Sequence, residues 1–408
     1  MTGDPARAAL RVALLTETYR PLIGGGETQA ALLAEELVRR GHDVLVLTRR
    51  TARDLPARER MGGARVVRLG PIGRHHLLKW GLAGTVPVLG GRLLRGADVV
   101  LVSGFRVLGA PARLVSLVHG IPVVLKADNN GELSGAFFAR GLARLGLRPD
   151  SAPVAASVRA RNHLLRGADG WVAMSADIAR EYRDHGVAPA RIHRIPNGYD
   201  PARFRPATPD ERRALRARLE LPAAARVAVY TGRLVSYKGL STLLRAWRAV
   251  VASRPDATLL LVGPGGLDIH NCESELREYV NSHGLARNVR FAGAVSDVET
   301  YLRAADAFVL PSENEAFGLS LVEAMACALP CVATPVGAMK EIVADGRTGL
   351  LVPPRDEARL ADALGVVLDG GARVASMGAA AAAVAREGYA IEAVADAYET
   401  LFRNLAAA

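Results

Sequence analysis

Residues 311–334 read PSENEAFGLSLVEAMACALPCVAT, and the order of residue types in this stretch decides the fold. The apolar run Ala307-Phe308-Val309-Leu310 precedes it. A polar segment with Glu315 follows, and Gly318 opens a helical pattern that carries Glu323. Leu329-Pro330 ends that pattern and a second apolar run begins. Strand, acidic loop, helix and strand make a βα unit. Glu315 then sits at the mouth of the βα turn and Glu323 on the second turn of the helix. Both carboxylates can face one ligand over the helix N-terminus, where unpaired N–H groups suit an anion. A ligand with hydroxyls to bind and phosphates to neutralise fits; a phosphorylated or nucleotide-linked sugar is one.

The same alternation runs outward in both directions. Upstream, strands are expected at 226–231, 257–262, 288–292 and 306–310, with helices at 239–253, 273–283 and 297–304. In the first half, strands are expected at 10–16, 43–48, 65–69, 98–103, 122–127, 170–174 and 191–195. Gly24-Gly25-Gly26 and a helix over 27–40 follow the first of these. Two βα series imply an α/β protein of two doubly wound, Rossmann-like domains facing each other across a cleft. Residues 1–200 form the first, 201–385 the second, and the final helix within 386–408 packs back on the first. The linker falls at 197–205, and the alanine-rich tail over 357–405 reads as helical.

With 408 residues, half of them hydrophobic and 23% charged, the chain is globular and long enough for two cores. It shows neither a signal peptide nor a run of about 18 apolar residues, so a cytoplasmic protein is expected. Cys272, Cys327 and Cys331 have no neighbouring histidines to complete a metal site and read as reduced, buried thiols. Charge is uneven: residues 1–205 hold 31 Lys and Arg against 17 Asp and Glu, the remainder 21 against 24. The basic first half suits an anionic partner such as a membrane surface, placing the protein peripherally at its inner face, or is simply a solvated face. Nucleic acid is not expected, because no motif that reads it is present. The stretch 74–95, with His75, His76, Lys79, Trp80, Arg92 and Arg95 among leucines, fits a crossover helix with one buried face or an amphipathic surface segment.

Two loops carry the remaining candidates. Gly232-Arg233-Leu234-Val235-Ser236-Tyr237-Lys238-Gly239 places two cations at a strand end before a helix, suited to a diphosphate. Asp128-Asn129-Asn130-Gly131-Glu132 follows the strand at 122–127, at the end of a parallel sheet where ligands bind. The competing reading of the second loop is a polar turn. Gly24 and Gly25 allow close approach of backbone to phosphate, although G-x-G-x-x-G is absent.

Taken together these segments resemble the retaining GT-B glycosyltransferases of family 4. The resemblance rests on Glu315…Glu323, Gly232-Arg233-Leu234…Lys238-Gly239, Ile195-Pro196-Asn197-Gly198, Leu261-Val262-Gly263, Phe291-Ala292-Gly293 and the Gly24-Gly25 loop. It implies transfer of a sugar from a UDP- or GDP-linked donor to a glycan, lipid-linked or small-molecule acceptor, with retention and without a bound metal or other cofactor. Arg233 and Lys238 would neutralise the leaving diphosphate, Glu315 would face the donor sugar, and Glu323 would hold the ribose hydroxyls. Gly24, Gly25, Gly232, Gly263, Phe317, Gly318 and Leu319 would line the donor. Asp128 completes the catalytic set, where many relatives carry histidine, and Asn129, Asn130 and Glu132 are acceptor candidates. A non-hydrolysing epimerase and a non-catalytic sugar-nucleotide scaffold are the alternatives.

Overall fold

The computed structural model describes residues 8–408 apart from Ile23, Arg74, 137–147, 149–150, Ala223 and 267–269. It divides into two compact units, Met1–Gly198 with Ile391–Ala408, and Tyr199–Ala390. The chain crosses between them at two adjacent points: Tyr199 N–H donates to Tyr389 O at 2.9 Å, and Tyr199 bridges Ala390.

The first unit is built on eight strands: β1 Arg11–Thr16, β2 Asp43–Arg49, β3 Arg58–Met61, β4 Ala64–Leu69, β5 Val99–Ser103, β6 Val123–Lys126, β7 Gly170–Ala173 and β8 Ile192–Arg194. Their order is β3-β4-β2-β1-β5-β6-β7-β8, parallel throughout except for the β3–β4 hairpin. Runs such as VALL and VVLV are apolar at every position because helices cover both faces of a parallel sheet. Edge strand β3, RERM, escaped the sequence reading because it is short and charged, with only Met61 packed on the core. It is defined by its turn, Gly62-Gly63, whose φ values of +54° and +84° suit a two-residue hairpin, and its charges protect an exposed edge. Ile391–Ala406 closes this unit. Tyr398, Leu401 and Phe402 join the core formed by Leu14, Leu33, Leu37 and Leu101, and Arg40 ties the helix down through Asp396, Glu399 and Glu392 O.

The stretch expected as one crossover helix is instead a chain of short turns, His76–Gly81, Leu82–Thr85, Val86–Gly90 and Gly91–Leu94, with changing pitch. Gly81, Gly84, Pro87, Gly90 and Gly91 prevent a regular helix there. Leu82, Val86 and Leu94 are buried along one side, while Trp80, Val88 and Leu89 are exposed. Arg74 lies outside the described residues, as do the side chains of His76 and Leu77.

The second unit has six parallel strands, β9 Val227–Thr231, β10 Thr258–Val262, β11 Val289–Gly293, β12 Ala307–Leu310, β13 Cys331–Ala333 and β14 Leu350–Leu351, in the order β11-β10-β9-β12-β13-β14. The strand order reverses between β9 and β12, and their carboxyl ends there mark the usual ligand crevice of such a sheet. The helical tail breaks into Glu357–Asp369, Ala372–Tyr389 and Ile391–Ala406, interrupted at Gly370-Gly371 and Ala390.

Candidate active site

Side by side, β9 and β12 send their following loops to the same sheet edge, and those loops lace together. Glu313 and Asn314 N–H both donate to Tyr237 O, at 2.9 and 3.2 Å. Gly239 opens helix Leu240–Ser253 at φ +70°, and a Cβ there would lie 2.0 Å from Pro311 O, so only glycine lets the two loops meet. Gly232 and Gly263 end neighbouring strands in similar fashion. Gly263 has φ +135°, and its Cβ would fall 2.1 Å from Gly232 O. Glycine there keeps a flat backbone floor at the carboxyl ends of β9 and β10.

On this floor Lys238 and Glu315 form an ion pair, each about 15% exposed, with Ser312 Oγ 3.5 Å from the same carboxylate oxygen. The sequence reading assigned Lys238 to a diphosphate and Glu315 to a sugar; the structure joins them to each other. The cause is the β9–β12 adjacency, which a separation of 77 positions in the sequence conceals. An ammonium has three N–H donors, so Lys238 retains two for a ligand. Arg233 is exposed and donates to Tyr237 Oη at 2.7 Å.

Helix Leu319–Ala326 begins at Gly318, whose φ of +92° and 3.1 Å clearance to Met339 Cγ exclude a side chain. Phe317, expected at the ligand, is 3% exposed, with its ring edge-on to Tyr389 at 6.0 Å. Its backbone remains at the helix entrance beside Leu319. Glu323 is half-buried, and burial pushes its pKa up to about 8; nearby Arg203 opposes the rise and Glu299 adds to it. A largely protonated carboxyl is therefore held near the helix end.

In the first unit, Asp128 follows β6. Its Oδ1 accepts from Ser103 Oγ at 2.9 Å and from Lys126 Nζ at 3.0 Å. The loop after it is held by carboxylates. Glu132 Oε1 accepts Asp128 and Asn129 N–H, each at 3.1 Å. Glu181 accepts Gly131, Leu133 and Ser134 N–H at 2.8 to 3.0 Å. Arg161 and Asn162 bind the Leu133 carbonyl from the other side. Glu132, expected to meet an acceptor, is wholly buried: it shapes the loop, with Arg106 3.7 Å away, and burial raises its pKa. Asn129 is partly exposed and Asn130 exposed at the rim.

Gly24 and Gly25 begin helix Gly25–Arg39. A Cβ on Gly25 would meet open space, whereas Gly24 faces the Glu27 carboxylate, which accepts from Thr18 Oγ1. The loop expected to reach phosphate thus carries an acid at its mouth. Three cations that sequence reasoning missed converge on the same sheet end. Arg49 is 5% exposed, donates from Nη1 to His75 O at 3.2 Å, and has a buried Nε without an acceptor among the described residues. Lys79 feels burial, which lowers its pKa, together with Arg106 and Arg49, while Glu17 and Glu132 oppose them. Arg49 closes the apolar run of β2, the one signal that could have flagged it. Glu181, fifty residues from Gly131, gave no sequence signal.

The family described as glycosyl transferases group 1 matches residues 225–369, and the glycosyl transferase 4-like domain matches 24–198. A D-inositol 3-phosphate glycosyltransferase of Acidothermus cellulolyticus is 34% identical over 89% of this chain and 84% of its own. The chain is a group 1 glycosyltransferase. Two solved structures share the glycosyltransferase's fold. A sucrose-phosphate synthase from Thermosynechococcus elongatus has a TM-score of 0.76 at 25% identity, covering 98% of this chain and 99% of that one. Anabaena HepE in complex with UDP and glucose has a TM-score of 0.75 at 22% identity, covering 96% and 99%. The family match places the Lys238–Glu315 pair, Gly318 and Glu323 of the glycosyltransferase inside its group 1 segment, and the Asp128 loop inside its 4-like segment.

Proposed function

We propose that the enzyme transfers a sugar, with retention, from a nucleotide-diphosphate donor held by the second unit to a hydroxyl-bearing, anionic acceptor held by the first. The observation that carries the donor reading is the Lys238–Glu315 pair beside the glycine-opened helix that bears Glu323. Lys238 and the exposed Arg233 would stabilise charge on the departing diphosphate, the role a metal plays elsewhere, so activity should survive EDTA. The helix entrance at Gly318–Leu319 would take a phosphate and Glu323 a ribose diol. Retention is read as front-face transfer: the anomeric carbon–phosphate oxygen bond breaks, the acceptor oxygen bonds on the same face, and its proton passes to the leaving phosphate.

For the acceptor, Arg49, Lys79 and Arg106 supply positive charge at the carboxyl ends of the first sheet. The Acidothermus cellulolyticus relative is named for D-inositol 3-phosphate, and a polyol phosphate suits such a cluster. Glycan and lipid-linked acceptors are the alternatives. A lipid-linked acceptor would place the enzyme in the cytoplasm at the inner membrane face. Exposed Trp80, Val88, Leu89, Leu117 and Val118, with exposed Arg92 and Arg95, support that placement. Among the described residues no helix is long and apolar enough to cross a membrane.

The test is a turnover screen of UDP- and GDP-sugars against inositol phosphates and lipid acceptors, with the product's anomeric configuration read by NMR. Retention in wild type, with loss of transfer in Lys238→Ala and Glu323→Ala, is expected; an inverted product, or unchanged turnover in both variants, refutes the reading. Sedimentation with phosphatidylglycerol vesicles, falling as salt rises, tests the membrane placement; no binding at low salt retires it.

A further inference from the structure

Three non-glycine residues have a positive φ among the described residues: Glu220, Ala328 and Arg355. Glu220 and Ala328 stand just past helices Pro209–Arg218 and Leu319–Ala326. There each closes the helix with hydrogen bonds back to its last turn, an ordinary use of the left-handed conformation. Arg355, at φ +65°, ends no helix. Asp356 N–H donates to Pro353 O at 3.3 Å, so Pro353-Pro354-Arg355-Asp356 is a turn with proline second and a positive φ third. That is the pattern of a type II turn, whose third position takes glycine without steric cost. Arginine occupies it against its own Cβ.

The side chain shows what the strained position delivers. Its guanidinium donates to Glu313 Oε2, from Nε at 2.9 Å and from Nη2 at 2.5 Å. Glu313 belongs to the loop after β12, and its backbone is already fixed. Its own N–H and that of Asn314 donate to Tyr237 O, and Thr334 Oγ1 donates to Ser312 O at 2.5 Å. What Arg355 adds is therefore charge. Tyr237 directly precedes Lys238, and Glu315, the partner of Lys238, is two residues beyond Glu313. An unpaired Glu313 would be a second carboxylate in this neighbourhood, competing for the ammonium and repelling a diphosphate.

We infer that Arg355 is a positioning residue for donor binding: it holds and neutralises the Glu313 carboxylate, so that a diphosphate meets Lys238 without a competing anion. This rests on the nucleotide-diphosphate donor reading above. Arg355 touches no substrate; it acts through Glu313, and this role is what keeps a side chain where the turn favours glycine.

The experiment measures donor KM, kcat and thermal unfolding for wild type, Arg355→Gly, Arg355→Asn, Arg355→Lys, Glu313→Gln and the double variant Glu313→Gln with Arg355→Gly, on the donor turned over in the screen. Glycine and asparagine both accept a positive φ. These two variants should unfold at the wild-type temperature or up to about 4 °C above it. Their donor KM should nonetheless rise about 3- to 5-fold, the scale of a solvent-exposed charge pair, with kcat nearly unchanged. The rise should shrink at high ionic strength. Arg355→Lys should keep most of the affinity. Glu313→Gln should match wild type, and the double variant should match Glu313→Gln, because the anion that Arg355 neutralises is gone. A KM raised as much in the double variant as in Arg355→Gly would make Arg355 a direct donor ligand and overturn the inference. Lower stability in both Arg355→Gly and Arg355→Asn would make it a purely structural residue and overturn it too. Wild type that turns over no nucleotide sugar refutes the donor reading, and this inference with it. An active wild type with an unaltered KM in Arg355→Gly refutes this inference alone.

Discussion

Glutamine at position 323 should make the protein more stable at alkaline pH while weakening donor binding. Burial holds the Glu323 pKa near 8, against an ordinary glutamate value of 4.5. Between those values the unfolded chain loses its proton and the folded chain keeps it. Stability therefore falls as pH rises through the window, by up to about 1.4 kcal/mol per pH unit. The full window would amount to about 5 kcal/mol, but the residue is only half-buried, and a loss of about 1–3 kcal/mol by pH 8 is expected. Glutamine is nearly the same shape and carries no such dependence. Urea unfolding of wild type and Glu323→Gln, followed by circular dichroism, should give nearly coincident stabilities at pH 4.5 and a lead for the variant that grows to pH 8. Calorimetry with UDP and with GDP should show weaker binding by the variant for whichever nucleotide wild type takes. A stability gap independent of pH, or a variant less stable at pH 8, would refute the placement of a protonated carboxyl at this site.

Four further outcomes are expected. Donor affinity should rise between pH 6 and 8, by at most tenfold per unit, because a diol that binds the ionised form of Glu323 releases its proton; calorimetry in buffers of different ionisation heat should detect about one proton, and none would exclude the linkage. Lys238→Ala should lower kcat about 100- to 1000-fold, and adding Glu315→Ala should restore stability but not turnover, since it removes the carboxylate left unpaired. Glu181→Ala deprives three backbone N–H groups of a charged acceptor and should cost about 2–4 kcal/mol; faster amide exchange at Gly131, Leu133 and Ser134 is its signature, and unchanged exchange would show that the loop holds without it. Gly239→Ala forces a side chain onto Pro311 O at φ +70° and should destabilise by about 2 kcal/mol or more, which thermal unfolding will measure.

The fold was legible where residue type repeats with a structural period. Apolar runs separated by glycine turns identified the parallel strands, because strands buried on both faces admit little else. Edge strand β3 was invisible for the complementary reason: RERM has a single apolar residue, Met61, and owes its pairing to the Gly62-Gly63 turn. At the site, sequence located the loops but not their partners. Glu315 and Glu323 looked like a matched pair, yet one is tied to Lys238 and the other held near neutrality by burial. Glu132 looked like a ligand group because it follows a strand end, whereas its carboxylate turns inward to its own backbone. Charge pairing across strands depends on which strands are neighbours, and the order β10-β9-β12 is not written in any local pattern.

Helix Ile391–Ala406 supplies Ile391, Val394, Ala395, Tyr398, Leu401 and Phe402 to a core whose other buried members come from residues 10–195. The order of synthesis is therefore not the order of completion. When the first 198 residues have left the ribosome, their sheet can pair and helix Gly25–Arg39 can pack on it, but part of that apolar face still lacks a cover. The second unit, contiguous from Tyr199 to Ala390, has all its parts before that cover is made. The nascent first unit thus waits, with apolar surface open, for nearly two hundred residues of translation. Its last stabilising contacts, including Arg403 with Ala8 O at 2.8 Å, join the two ends of the described chain. Termination between Ile391 and Ala408 would then spare the second unit and strand the first one unfinished.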